Sequence, residues 1–257
     1  MLPSMRRSSW KFRILLGVAI VLFAYVNRCS NKEENPYTGR IQTIDMTTEE
    51  EIAIGLQSAP QMAREFGGLL PDRRSQALVD AVGNRLVQNS IARDTPYKFE
   101  FHLLADDRTV NAFALPGGQI FITQALFNRL NEGQLAGVLG HEIGHVIGRH
   151  SAERIADSNF WKTVTVGASV GADMGGVVAG IGQQTLLNNG RGDELESDEL
   201  GVLLMIQAGY DPNELIRVME ILDEASGPNR VPEFQSTHPS PENRIERIRA
   251  AIDKYST

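Results

Sequence analysis

A chain of 257 residues, 42% of them hydrophobic, can bury a sizeable core in one large domain or two small ones. Its formal net charge of −7, with no Lys/Arg cluster beyond the N-terminus, excludes a nucleic-acid surface, which needs clustered cations. The single cysteine, Cys29, excludes an intramolecular disulfide and a Cys-rich zinc knuckle, so any metal site is left to His, Asp and Glu.

At the start of the chain Arg6, Arg7, Lys11 and Arg13 precede the apolar run Ile14 to Val26, the layout of a signal peptide or short membrane anchor over residues 1–30. The run is 13 residues, short of the roughly 18 that suggest a full span. Positive charge stays on the cytoplasmic side, so the rest of the chain is expected to be exported, on the periplasmic side of a bacterial membrane. Cys29 also raises attachment as a lipoprotein, although Arg28 stands where that cleavage signal takes a small residue. Residues 31–46, with Pro36 and Gly39, read as a polar linker and domain entry, and residues 47–257 as one domain.

Thr48 to Phe66 and Asp72 to Gln88 predict helices, the second with Ala77, Leu78, Ala81, Val82 and Leu86 at three- and four-residue intervals. The period then changes to two. Tyr97, Phe99, Phe101 and Leu103 alternate with Lys98, Glu100 and His102, which predicts a strand with His102 turned to solvent. "VNAFALPGGQIFIT" gives two strand-like runs around Pro116, Gly117 and Gly118, a hairpin. Asn111, Ala112, Phe113 and Ala114 in its first strand are expected to border a cleft and pair with an extended substrate; the plainer alternative is a packed strand.

Residues 140–150 read "GHEIGHVIGRH". A capping-box pair, Asn131 and Gln134, and the stripe Leu135, Val138, Leu139, Ile143 and Val146 put the motif on a helix. His141 and His145 then share one face and can bind one ion, while Glu142, about 100° round, reaches a water beside the metal. The alternative is a polar helix face that carries histidines. His150 is one residue too early for the third ligand of HExxHxxGxxH, and on a continuing helix it faces away from His141, so it is expected to cap or pack. The third ligand is sought in "DELESDELG", residues 193–201, on a fresh helix ending at Gly209. Glu194 and Asp198 share a face there, fitting a ligand and a carboxylate that accepts a ligand histidine's ring N–H; a solvated acidic helix start is the alternative. Residues 163–184 are rich in Gly, Ala and Val, suiting close helix packing in the domain or at a membrane, with Asp173 against a span.

In order, "HEIGHVIGRH", "ELESD" with "LG" behind it, "AGYDP" and "STHPSPENRI" resemble the membrane-associated zinc metallopeptidases that include the Oma-type, HtpX-type and CAAX-prenyl-type enzymes. "NPYTGR" and "NAFALPGG" are similar to the exported or mitochondrial Oma-like branch, and the resemblance covers about residues 35 to 250. It implies an α+β, mainly helical, zincin-like metallopeptidase domain with a small antiparallel sheet beside the HExxH helix. It also implies one Zn2+ per chain on His141, His145 and Glu194, with Glu142 as base and Asp198 in support. Ser197 stands where the family usually has Ala. His238, in a loop before a helix capped by Ser240 and started by Pro241, either supports the oxyanion or ligates zinc and silences the resting enzyme. The implied function is a metalloendopeptidase for exported or membrane-associated proteins in quality control, with protein or peptide substrates and membrane association through the N-terminus. Its rivals are a metal-free or self-inhibited scaffold or chaperone of the same fold, and a metal hydrolase of another bond. No oligomeric state is indicated.

Overall fold

The computed structural model describes residues 10–172, 189–225, 237–238 and 243–256. Its contacts separate two units, Met1–Asp45 with Ala152–Leu186, and Met46–Ser151 with Leu187–Thr257.

In the first unit, helix α1 (Trp10–Ser30) has 21 residues, because Trp10 and Phe12 continue the apolar run on its N-terminal side and Asn27 to Ser30 extend the helix beyond it. At 1.5 Å per residue it is about 31 Å long, so by length and composition it can cross a bilayer, which the shorter run alone did not suggest. The stretch read as a linker is folded. Strands β1 (Lys32–Glu34) and β2 (Ile41–Thr43) pair antiparallel around a turn organised by buried Asn35. Asn35 Oδ1 accepts from the N–H groups of Tyr37 (2.9 Å) and Thr38 (3.3 Å), its Nδ2 donates to Gln42 Oε1 (3.1 Å), and Gly39 takes φ +71°. A polar side chain thus organises this segment, as apolar alternation does elsewhere. Helix α6 (His150–Ala172) supplies Glu153 to Arg40, and Asp157 and Phe160 to Arg28. Its Gly167 lies against α1, where a Cβ would come within 2.8 Å of Val21 and 2.9 Å of the Gly17 carbonyl. The Gly-rich run is described only to residue 172; Asp173 and the later residues of that run lie outside the described residues.

In the second unit, α2 (Thr48–Glu65) starts at a Thr47–Glu50 capping box and α3 (Arg73–Gln88) at Asp72. Strands β3 (Glu100–Leu104), β4 (Ala112–Leu115) and β5 (Gln119–Thr123) lie in the order β3-β5-β4. β4 and β5 form the expected antiparallel hairpin, turned by Pro116–Gly118 with φ +78° at Gly117 and +108° at Gly118. β3 instead joins β5 in parallel, so the sheet is mixed, a correction to the all-antiparallel expectation. The same pairing corrects the reading of His102. It is set opposite Phe121, stacks on that ring at 4.6 Å and bonds Gln119 through Nε2 (2.8 Å), half-buried rather than free in solvent.

After the short α4 (Gln124–Phe127), α5 (Glu132–Ile147) starts at the reciprocal Asn131–Gln134 cap and is buried from Leu135 to Ile147. Around it lie α3, β4 and two further helices, α7 (Arg191–Gln207) and α8 (Asn213–Ala225), while α9 (Arg244–Tyr255) packs on α7. Glycines set the spacing. A Cβ on Gly144 would come within 2.9 Å of the Ser197 carbonyl, and one on Gly201 within 3.2 Å of the His141 backbone nitrogen.

Gly144→Ala is therefore expected to cost about 1–3 kcal/mol, as overpacking against backbone does, read as a lower urea midpoint. Gly192→Ala, in α7 with open space around it, should be neutral or gain about 0.5 kcal/mol.

Candidate metal centre

The close approach of α5 and α7 faces the histidines of one with the carboxylates of the other. His141 Nε2 lies 3.3 Å from Glu194 Oε2, His145 Nε2 3.3 Å from Glu194 Oε1, and the two Nε2 atoms 3.0 Å apart. His238, which sequence spacing alone did not place, adds Nδ1 at 3.0 Å from Glu194 Oε1 and 3.4 Å from His141 Nε2. All four residues are buried, with one donor atom of each within 4.8 Å of the others. Asn189 closes one side, its Nδ2 3.2 Å from His145 Nε2 and 3.0 Å from His238 Nδ1, and its backbone N–H donates to Thr237 O (2.9 Å).

Behind the cluster Asp198 Oδ1 accepts from His141 Nδ1 (2.8 Å), which leaves Nε2 as the nitrogen that faces the cluster. Arg244 grips Asp198 in bidentate fashion, Nε to Oδ2 at 2.7 Å and Nη2 to Oδ1 at 2.9 Å, and Nη2 lies 3.3 Å from Glu194 Oε2. His145 Nδ1 meets His150 Nδ1 at 2.8 Å. Glu142 is buried beside the cluster with neither carboxylate oxygen hydrogen-bonded among the described residues, and its Oε1 is 3.6 Å from His238 Nε2.

Burial and charge set the protonation of these groups. Burial drives His145 well below 6.5, leaving a neutral ring. Burial raises the Glu194 carboxyl, but His238, His141 and His145 outweigh it and hold it well below the carboxylate range. For Asp198 the same opposition is won by Arg244 and His141. Burial pushes His141 down, yet Asp198 and Glu194 hold it up at about 10, so the cluster favours positive charge at this point. Burial raises Glu142 above its usual range against the pull of His238 and His141.

These residues fit a divalent ion. Glu194 and Asp198 are held ionised, Arg244 answers one of these two negative charges, and positive charge among the histidines answers the other, the place a cation would take. Imidazole and carboxylate donors without thiolate are the set that a catalytic zinc uses.

The strand residues are placed differently from one another. Asn111 is fully buried and its side-chain amide has no hydrogen-bond partner among the described residues. The Ala112 carbonyl, on strand β4 at the sheet edge, is 3.3 Å from His238 Nε2. The Phe113 ring is core, packed on Phe121 at 5.0 Å and Phe66 at 5.2 Å, which leaves only its backbone for another role. Ala114 is half-buried. Ser240 and Pro241 lie outside the described residues. Sequence reasoning gave no role to Arg244, although it stands in "ENRI", or to Asn189.

The sequence pattern of peptidase family M48 matches residues 73–252. The mitochondrial metalloendopeptidase OMA1 of Schizosaccharomyces pombe is 32% identical over 96% of this chain and 72% of its own length. The beta-barrel assembly-enhancing protease of Escherichia coli (strain K12) is 32% identical over 76% of the chain and 43% of its own length. The OMA1 of Arabidopsis thaliana is 34% identical over 58% of the chain and 31% of its own length. The chain thus spans less than half the length of the bacterial protease.

Arg244→Met strands the buried Asp198 carboxylate, and the expected loss is about 3 kcal/mol of stability in urea unfolding. Lys254→Met, which ends an exposed pair with Glu199, should leave the midpoint unchanged.

Proposed function

The chain belongs to peptidase family M48, and from that membership we infer an endopeptidase that cleaves exported or membrane-associated proteins in a quality-control role. That it is a zinc-dependent metallopeptidase follows from the family and from the His141, His145, Glu194 and His238 cluster. The observation that carries the catalytic reading is Glu142, a buried carboxylate beside that cluster whose oxygens have no hydrogen-bond partner among the described residues. Zinc held by His141, His145 and Glu194 would supply a Lewis acid that polarises a peptide carbonyl and acidifies water to a pKa of roughly 7. Glu142 takes the proton of the attacking water and passes it to the leaving amine, work to which its raised pKa is suited. Asp198, fixed by Arg244, keeps the His141 ring in its ligating tautomer.

β4 lies at the edge of its sheet among the described residues and can take an extended substrate as an added strand; the Asn111 amide, without a hydrogen-bond partner among those residues, lies just before it. In the arrangement described, His238 stands in the way. Its Nδ1 sits among the ligand atoms while its Nε2 faces the Ala112 carbonyl, the acceptor that a substrate N–H would use. This favours the zinc-ligand reading of His238 in a resting state over the oxyanion reading. Export is supported by α1 and by the bacterial relatives, which are named for beta-barrel assembly. Cys29 is exposed in the last turn of α1, and lipidation there stays a proposal.

One zinc per full-length chain and casein cleavage that falls about 10²–10⁴-fold in Glu142→Gln, with zinc retained, are the expected results. A wild-type protein without zinc would move the reading to a scaffold. His238→Phe is expected to raise the rate of cleavage; lost turnover with zinc retained would return His238 to the oxyanion.

A further inference from the structure

We propose that His150 is a positioning residue of the metal centre, holding His145 in its ligating tautomer through a relay that ends on Glu196. The proposal rests on the reading of His141, His145 and Glu194 as the zinc ligands.

His145 turns Nε2 to the cluster, so as a neutral ligand it carries its hydrogen on Nδ1. The atom facing that hydrogen at 2.8 Å is His150 Nδ1, which must therefore be the acceptor. His150 then carries its own hydrogen on Nε2, and Nε2 faces Glu196 Oε2 at 2.8 Å, with Asp193 Oδ1 at 3.9 Å. Ser197 Oγ, 3.3 Å from His150 Nδ1, is a further neighbour that can donate to it. Only one ordering of hydrogens satisfies this chain. Through Nδ1, His141 reaches a carboxylate directly, whereas His145 reaches one through a second imidazole. Ligand histidines that lose such partners commonly lose 10- to 100-fold in metal affinity.

The backbone is built to bring His150 there. α5 ends at Ile147, and a Cβ on Gly148 would lie 2.5 Å from His150 Nε2, so a glycine makes the room for the ring. Arg149 takes φ +54°, an uncommon state for a non-glycine residue, and reverses the chain so that His150 returns toward His145 instead of rotating away. That conformation is held from α2. Arg149 Nε donates to the buried carboxylate of Glu51 (3.0 Å), whose same oxygen accepts from Tyr97 OH (3.1 Å), and Arg149 Nη2 donates to the Met46 carbonyl (3.4 Å).

The test is zinc affinity of the full-length protein by competition with a chelating dye, alongside the melting temperature of the metal-free protein. His150→Asn keeps an acceptor near Nδ1, while His150→Leu keeps bulk and removes the acceptor. The relay predicts that His150→Leu weakens zinc binding about 10- to 100-fold and that His150→Asn recovers most of the loss. A packing role predicts the reverse order, and that order, or equal affinities, would overturn the proposal. If neither variant folds, the double variant Asp193→Asn, Glu196→Gln removes the charge at the end of the relay from partly exposed positions. It is expected to bind zinc about tenfold more weakly, and wild-type affinity there would also overturn the relay. A wild-type chain that binds no zinc would instead sink the ligand reading itself.

Discussion

The near-contact of α5 and α7 is the constraint on which the site depends. Side chains at a helix interface usually hold the axes 8–10 Å apart. At Gly144 and Gly201 no side chain intervenes, and the partner backbone stands where a Cβ would go. Only at that separation do the short carboxylate of Asp198 and the ring of His141 meet at hydrogen-bond distance while Glu194, one turn earlier, reaches both ligand histidines. Three of the four residues that could hold a metal therefore sit on two rigid elements whose spacing is fixed by backbone, a firmer support than a loop provides.

Such a site concentrates charge where water does not screen it. Three carboxylates and one guanidinium are buried within a few ångströms, and none could be retained there singly. Arg244 makes the arrangement stable by answering Asp198 with two hydrogen bonds and lying against Glu194. From behind, His141 meets a carboxylate and His145 another imidazole, although the two come from one helix and one motif.

What was legible in the sequence is what short-range geometry determines. The four-residue spacing of His141 and His145, the Asn131–Gln134 cap and the pairing of Glu194 with Asp198 all follow from helical periodicity, and each is present in the fold. Arg244 could not be assigned in that way. It meets Asp198 across 46 positions, and no local pattern marks one arginine of an amphipathic helix as the buried one. His150 was misplaced for a different reason. The expectation assumed that the helix continued, whereas Arg149 enters left-handed backbone, a state that its sequence does not advertise and that Glu51, from a distant helix, holds in place. The mixed sheet was hidden likewise, since alternation in "YKFEFHLL" reports a buried face but not the direction of the neighbouring strand.

His238 differs from the other cluster residues in lying outside the regular helices, and it bonds the site itself. Its ring touches Glu194, His141 and Asn189 on one edge and the Ala112 carbonyl on the other. Its position and the state of the cluster are therefore linked, and linkage is reciprocal. On the proposed reading, a stronger hold of the cluster on Nδ1 weakens the pairing of an incoming strand with β4, because the two need different placements of His238. On the reading of His238 as a resting-state ligand, the proposed ligands stay on rigid helices and the site is silenced by one imidazole set against one carbonyl.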